Sequence, residues 1–429
     1  MIENKLKYES IEKIITKVKE ELKDEKLGRL FENCYRNTLT HTLQKTKEGN
    51  VFTITGDIPA MWLRDSVCQF RPYIVLCKED SEIADLIEGL IKTQFHYIAI
   101  DPYANAFNEE ENANGHQTDK TQMKPIVWER KYEIDSLCFP IQFSYLFWKN
   151  SGRTSHFTKE WKEALQKVMD VFETEQFHET KSTYRFEREN CPYTDTLSRN
   201  GKGALVKEDI GLVWSGFRPS DDACVYGYLI PSNMLLAVAM KYTAEIAEVI
   251  YQDEALKARA EKLEKSIRKA IDSYGLIPNM ENPYYAYEVD GFGQYLFMDD
   301  ANVPSLLSMP YFGYCKKEDE IYLNTRNAVL SQKNPYYYKG SLIEGLGSPH
   351  TPEDYVWHIG LAIQGLTATG KEEKQKMLQL LRDTDADTGF MHEGIYVEDP
   401  TQYTRPWFSW ANAVFSEFVL DFIGIKIEM

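Results

Sequence analysis

No apolar run in this 429-residue sequence approaches the length of about 18 that a membrane-spanning helix requires. The opening MIENKLKYES lacks the apolar segment of a secretory signal peptide. The seven cysteines are scattered and form no Cys-x-x-Cys pair, which argues against a disulfide framework or a zinc knuckle. We therefore expect reduced thiols, a cytoplasmic location and no membrane partner.

Positive charge is also scarce, because 49 Lys and Arg residues face 66 Asp and Glu residues and the net charge is −17. The charges are interleaved, as in KVKEELKDEKLGRL, and no basic block occurs. Binding to phosphate backbones requires clustered cations, so nucleic acid is excluded as an expected partner.

Several enzyme motifs are missing as well. The sequence has no Gly-x-Ser-x-Gly elbow, no nucleotide-binding glycine loop and no His-Glu-x-x-His. Both Asp-Asp pairs fail the DDxxD pattern of diphosphate binding, because Val225 and Val303 occupy its fifth position. The eight histidines show no metal-ligand spacing, and we expect no metal and no cofactor.

Helical periodicity dominates what is present. Apolar residues recur at three- and four-residue spacing over 8–24, 28–47, 65–78, 81–99, 133–149, 157–174, 232–251, 254–273, 354–369, 371–383 and 407–423. Strand signals are short, at 51–54 and around 184–186 and 395–397. No Gly/Ser-rich or Pro-rich linker divides the chain.

Six segments combine aromatic residues, an acid and the start of an apolar helix. They span 57–66, 126–137, 214–233, 293–307, 345–361 and 389–415. Six helical hairpins can close into an (α/α)6 barrel, so we predict an all-α fold with minor short strands in loops. Residues 1–429 would form one catalytic domain, with residues 1–27 either part of the barrel or a peripheral N-terminal helix.

The same segments have the composition of a sugar site, since aromatic rings pack on pyranose faces while acids, Arg and His bind hydroxyls. The clusters are Trp62 with Arg64 and Asp65; Trp128 with Glu129 and Arg130; Trp214 with Arg218, Asp221 and Asp222; His350 with Asp354, Trp357 and His358; and His392 with Glu393. Helix capping is the alternative for acids such as Asp65 and Asp354.

Hydrolysis of a glycosidic bond needs two carboxyl groups, an acid and a base or nucleophile. Asp221 and Asp222 are candidates, because adjacent acids raise one another's pKa, although a helix cap is equally compatible. Glu393, alone between His392 and Gly394, is the other candidate, against an ordinary surface glutamate.

Three motifs resemble glycoside hydrolase family 125. They are GDIPAMWLRDS at 56–66, SGFRPSDDAC at 215–224 and FMHEGI at 390–395, and the likeness extends from about residue 28 to 424. The resemblance implies an (α/α)6 barrel and an exo-acting α-1,6-mannosidase that inverts the anomeric carbon without a metal. It further implies a bacterial or fungal enzyme, and bacterial members trim mannose from N-glycans.

Carried over by position, the resemblance makes Asp221 or Asp222 the general acid, with Asp221 preferred, and Glu393 the general base. Asp221 would be kept protonated by its neighbour, and inversion requires the two carboxyls to lie about 6.5–9.5 Å apart. The substrate-binding residues would be Trp62, Arg64, Asp65, Arg218, Asp222, Asn302 and His350, with Trp62 or Tyr287 closing the pocket. We expect a monomer whose partner is a small α-1,6-mannoside.

Two other functions remain open from the sequence. A non-catalytic glycan-binding protein could use the same loops, but it would not need Glu393 opposite an Asp pair. A different barrel enzyme, such as a glucosidase or a lyase, is the second alternative; a lyase would draw on a Tyr together with His350 or His358.

Overall fold

The computed structural model describes residues 8–47 and 49–429. Its α-helices are α1 Glu9–Leu22, α2 Glu25–Asn37, α3 Leu63–Phe70, α4 Ser81–Ile100, α5 Ile134–Ser151, α6 Lys159–Glu175, α7 His178–Lys181, α8 Ser198–Gly201, α9 Ile230–Ile246, α10 Glu254–Tyr274, α11 Glu320–Val329, α12 His358–Thr367, α13 Lys371–Asp383 and α14 Ser409–Phe422. Short π or 3₁₀ turns extend α2 over Thr38–Thr42, α3 over Arg71–Leu76 and α9 over Ala247–Tyr251.

Short strands lie between the helices. They are β1 Leu43–Lys45, β2 Val51–Thr53, β3 Met61–Trp62, β4 Ala106–Phe107, β5 Val127–Glu129, β6 Tyr228–Leu229, β7 Glu288–Val289, β8 Tyr295–Leu296, β9 Tyr337–Lys339, β10 Glu344–Leu346, β11 Tyr355–Trp357, β12 Gly394–Tyr396 and β13 Asp399–Tyr403. All pairings between them are antiparallel, and no sheet among the described residues exceeds three strands.

An inner ring of helices forms the core. Helix α14 packs on α3, α3 on α5, α5 on α9, and α12 on α14. These helices are apolar on most faces; α9, for example, buries nearly every residue from Ile230 to Ile246, as expected of a helix surrounded by others. Between α9 and α12 the ring is completed by a succession of turns over residues 302–313.

The outer helices are amphipathic and cover the ring. Helix α10 packs on α9, α13 on α12, α2 on α14, and α4 pairs with α6 and α5. Charged residues fill the outward face of α10, and only its apolar stripe is buried. The result is the predicted (α/α)6 barrel. Helix α1 packs on α2; residues 1–7 of the predicted N-terminal helix lie outside the described residues.

Strands at one end of the barrel lead directly into inner helices. Strand β3 runs into α3, β6 into α9 and β11 into α12, each as a member of a three-stranded sheet. Because the strand fixes the direction of the chain, it also fixes where the first turn of the following helix begins. Loops and inner-helix N-termini are thereby held together at one mouth.

Several element boundaries differ from the sequence predictions. The helix predicted over 28–47 ends earlier, because residues 43–45 pair with β2. The helix predicted from residue 354 begins only at His358, after β11, and the segment around 184–186 contributes an isolated bridge at Glu187. Helix α11 was not predicted. Within the part of the chain described, no helix combines the length and apolarity needed to span a membrane.

Candidate active site

A pocket of about 370 Å³ opens at the mouth where the inner elements begin. It is lined by Thr55, Ile58, Trp62, Arg64, Asp65, Pro219, Ser220, Asp221, Asn302, His350, Trp357, Glu393, Arg405, Phe408 and Trp410. Aromatic rings and ionisable groups line it together, which suits a ligand with both apolar and hydroxyl faces.

Arg64 is the centre of the charges at the base of the pocket. Its Nη1 donates to Glu133 Oε2 at 2.7 Å and to Asp135 Oδ2 at 3.0 Å. Its Nε lies 3.5 Å from Asp65 Oδ2, and its Nη2 lies 3.7 Å from Asp221 Oδ1. The guanidinium also stacks over the Trp410 ring at 5.4 Å. One buried cation thus faces four carboxyl groups, which cannot all be ionised at low cost.

Asp221 reaches the pocket from the loop that precedes α9. Its φ of +67° is left-handed, a conformation that Asp tolerates better than most residues. The backbone carbonyl of Asp221 accepts a hydrogen bond from Lys131 Nζ at 2.7 Å, and its Oδ1 lies 3.3 Å from Asn105 Nδ2. The unusual backbone geometry is therefore fixed by a buried lysine.

The charges around Asp221 favour its ionised form. Burial opposes ionisation, but Arg64, Lys131 and a hydrogen bond with Glu133 outweigh it and lower the pKa of Asp221 to about 2. Burial raises the pKa of Glu133 well above its usual range. The negative charges of Asp221 and Asp135 act in the same direction, and Arg64 opposes them. The charges thus contradict the expectation that Asp222 keeps Asp221 protonated, because they lower the pKa of Asp221 and leave that of Glu133 raised.

Glu393 stands on the opposite chain segment, immediately before β12. Pairing of Trp357 with Gly394 brings it beside the start of α12. Thr404 Oγ1 donates to Glu393 Oε2 at 3.0 Å, and Arg405 Nη1 lies 3.5 Å from Oε1. Both carboxylate oxygens are thus oriented by the two residues of the segment that follows β13.

His350 forms a charged pair with Asp222. Its Nδ1 lies 3.2 Å from Asp222 Oδ1. Burial disfavours the imidazolium, but the hydrogen bond and charge of Asp222 prevail and raise the pKa of His350 to about 9. His350 is accordingly a cation at neutral pH on the pocket wall.

Several buried polar atoms at the mouth make no hydrogen bond to the protein. They are Trp62 Nε1, Arg64 Nε, Asp65 Oδ2, Ser220 Oγ and Asp222 Oδ2. A buried polar group without a partner costs about 1–3 kcal/mol, so clusters of such groups are rare outside binding sites. Four of the five belong to residues that line the pocket, and they suit a polyhydroxylated ligand.

Most residues predicted from the sequence converge on this pocket. Those that line it are Trp62, Arg64, Asp65, Asp221, Asn302, His350 and Glu393. Asp222 stands behind the lining, on His350. Arg218 donates to Glu288 at 2.6 Å and lines a neighbouring cavity, and Tyr287 is fully buried outside the lining.

The remaining residues of the predicted clusters make ion pairs, hydrogen bonds and packing contacts outside the pocket. Glu129 accepts from Arg188, and Arg130 pairs with Asp101. Trp128 packs behind Trp62. His358 is buried and bonds to Thr384 on the neighbouring hairpin.

Sequence reasoning missed Glu133, Arg405, Phe408 and Trp410 as site residues. Arg405, Phe408 and Trp410 belong to RPWFSWANAVF, whose aromatic content was itself the available signal. Glu133 lies in the charged run ERKYEID, and nothing in that local sequence indicated a role in the site. Over residues 8–47 and 49–429, no three His, Cys, Asp or Glu side chains converge as a metal-ligand set.

Comparison with known proteins identifies close relatives. Residues 24–420 match the model of the family described as metal-independent alpha-mannosidase (GH125). The meiotically up-regulated gene 157 protein of Schizosaccharomyces pombe is 40% identical over 440 residues, covering 97% of this chain and 86% of that protein.

Solved structures agree on the architecture. A Streptococcus pneumoniae metal-independent α-mannosidase, in a non-productive complex with α-1,6-mannobiose, superposes with a TM-score of 0.96 at 45% identity, covering 98% of this chain and 99% of that one. Glucoamylase from Saccharomycopsis fibuligera matches with a TM-score of 0.58 at 10% identity, over 97% and 96% of the two chains. At that identity the likeness shows the fold alone.

Proposed function

The chain belongs to the metal-independent α-mannosidase family GH125 and is a glycoside hydrolase, and on that basis we propose that it is an inverting, exo-acting α-1,6-mannosidase. Its substrate would be the terminal mannose of α-1,6-linked mannosides, including N-glycan fragments. The observation that carries the proposal is a pocket lined by Asp221 and Glu393 together with aromatic rings and buried polar atoms that make no hydrogen bond to the protein. The linkage is suggested by the α-1,6-mannobiose bound in the 45% identical pneumococcal enzyme.

In this proposal Asp221 is the general acid and Glu393 the general base. Asp221 protonates the glycosidic oxygen while Glu393 takes a proton from a water that attacks the anomeric carbon from the opposite face. Of the two adjacent aspartates, Asp221 is the better acid because it lines the pocket, whereas Asp222 is engaged with His350. Inversion requires the two carboxyls to be about 6.5–9.5 Å apart, with room for the water.

The remaining lining residues bind the sugar. Trp62 and Trp410 offer ring faces, while Asp65, Ser220 and Asn302 offer hydrogen-bonding groups for hydroxyls. We further propose that the whole chain is one catalytic domain acting as a cytoplasmic monomer.

The test is to incubate the enzyme with α-1,6-mannobiose and follow the first anomer released by proton NMR. Initial β-mannose supports inversion; initial α-mannose would show retention, and no release would favour a glycan-binding protein. Glu393→Gln and Asp221→Asn should each lower kcat by about 10²–10⁴-fold. Asp222→Asn is the matched control, and a loss as large as that of Asp221→Asn would reassign the acid.

A further inference from the structure

Glu133 is a buried acid next to the pocket that the proposed reaction leaves without a role. Its side chain is fully buried at the N-terminal end of α5, and it does not line the pocket. Oε2 already accepts from Arg64 Nη1 at 2.7 Å and from Ser136 Oγ at 2.8 Å. Oε1 is thereby left on the side where Asp221 lies.

Asn105 shows how close the two acids are. Its single Nδ2 lies 3.3 Å from Asp221 Oδ1 and 3.5 Å from Glu133 Oε1, so both carboxyl groups approach the same donor. A hydrogen bond between the two carboxyls raises the pKa of Glu133 and lowers that of Asp221. Two carboxyls can share such a bond only when one of them is protonated. A hydrogen bond of this kind therefore requires one proton on the pair, beside the pocket that Asp221 lines.

The surrounding charges determine which partner holds that proton. Arg64 faces both acids from α3, and Lys131 and His350 further lower the pKa of Asp221. Asp135 adds negative charge beside Glu133, and Asp65 lies beyond Arg64. The cations thus favour the ionised form at Asp221 and leave the proton on Glu133 in the unliganded site.

Resting on the proposed function, we propose that Glu133 is a positioning residue that stores the catalytic proton and supplies it to Asp221. When the glycosidic oxygen enters, the proton moves from Glu133 Oε1 to Asp221 and then to that oxygen as the C1–O bond breaks and its electron pair stays on the leaving oxygen. The water oxygen bonds to C1, and Glu393 takes the water's proton. Glu393 then releases its proton to solvent, and the Glu133–Asp221 pair takes up a proton from solvent. These two steps restore the starting state of the enzyme.

Glu133→Gln tests this because the amide keeps the hydrogen bonds to Arg64 and Asp221 but cannot transfer a proton. Asp221 would remain ionised at neutral pH, so kcat on α-1,6-mannobiose should fall about 10²–10³-fold. The basic limb of the kcat/KM profile should move to lower pH by at least about one unit, since the proton is then held by Asp221 alone beside its cations. Hydrolysis of 2,4-dinitrophenyl α-mannoside, whose leaving group needs no proton, should fall about tenfold or less.

Glu417→Gln is the matched control, because it replaces a carboxylate that pairs with another buried arginine, Arg71, and has no contact with the acid pair. It should leave the basic limb in place. Glu133→Asp retains a transferable proton and should keep the limb within about half a unit of wild type while lowering kcat; it carries the test where Glu133→Gln does not fold.

An unmoved limb in Glu133→Gln, or an equal loss on both substrates, would reduce Glu133 to a structural role. Failure of the wild type to release mannose would instead sink the proposed function itself.

Discussion

Lys131 donates from its ammonium group to the backbone carbonyl of Asp221, at 2.7 Å. The lysine side chain is 2% exposed and also contacts Asp195 and Glu129. A side chain on the approach to α5 therefore holds the main chain of the proposed acid on a different hairpin.

Lys131→Met should destabilise the protein and lower activity together. Methionine fills the volume but removes the charged donor to the Asp221 carbonyl and leaves Arg188 as the cation facing Glu129 and Asp195, at a cost of about 1–3 kcal/mol in the free energy of unfolding. Release of the Asp221 backbone should lower kcat at least about tenfold. Urea unfolding and kcat measure the two effects. Lys120→Met, which breaks an exposed pair with Glu189, should leave both the free energy of unfolding and kcat essentially unchanged.

Asp65→Asn should stabilise the protein while impairing it. Burial raises the pKa of Asp65 to about 6 although Arg64 opposes the rise. The native state therefore binds a proton between about pH 4 and 6 that the unfolded state has lost, and wild-type stability falls as pH rises through that window. Above pH 6 the variant should gain up to about 3 kcal/mol, and the gain should vanish near pH 4.

Urea unfolding at both pH values and KM for mannobiose check this prediction. Asp170→Asn, on the surface beside Arg259, should change stability by no more than about 0.5 kcal/mol. A variant that is stabilised and fully active would remove Asp65 from sugar binding.

His350 should contribute stability only in its charged form. Its folded-state pKa, about 9, exceeds the ordinary value, so the contribution is complete below about pH 6.5 and is lost as pH rises through 9. Because the side chain is 41% exposed, solvent limits the effect to about 1 kcal/mol. Comparing wild type with His350→Gln by urea unfolding near pH 6 and near pH 9.5 should show a difference only at the lower value.

Gly56→Ala should disrupt the pocket from its edge. The φ of Gly56 is +132°, and a Cβ there would lie 2.6 Å from the carbonyl oxygen of Trp407. Gly56 also bridges to Phe408, so the clash displaces the segment that carries Arg405 and Trp410. We expect a loss of more than about 3 kcal/mol in stability and of most activity.

Gly293→Ala separates the clash from the backbone strain. Its φ of +111° is comparable, but nothing lies within 4 Å of the added Cβ. This variant should cost about 1–3 kcal/mol and keep kcat. Equal behaviour of the two variants would mean that strain alone, without the contact to Trp407, explains the loss.

The sequence predicted the barrel where helices are long and periodic. Helix α9 could be recognised because its residues are apolar throughout, and α10 because its charges follow the helical period. The fourth element of the inner ring, the turns over residues 302–313, could not be predicted from helical periodicity. Pro304, Pro310 and Gly313 break the helical pattern, and the structure has turns there.

The site was predictable as far as local motifs reach. Trp62, Arg64 and Asp65 are neighbours in the sequence and line one wall of the pocket. Glu133 depends on contacts with Arg64 and Asp221, which lie on two other hairpins. No local pattern encodes such a relationship, because the pKa of each acid is determined by charges that only the closed barrel brings near.

The bridge between Gly56 and Phe408 joins the hairpin before α3 to the segment before α14. The bridge thus links the pocket residues before and within α3 to those before and within α14. Arg64 of α3 stacks on Trp410 of α14 at the same junction. Arg405 and Phe408, just before α14, and Trp410, in its first turn, line the pocket on the side opposite the start of the chain. A chain cut short before residue 405 would therefore lack one wall of the pocket, so we expect hydrolytic activity to report closure of the whole barrel.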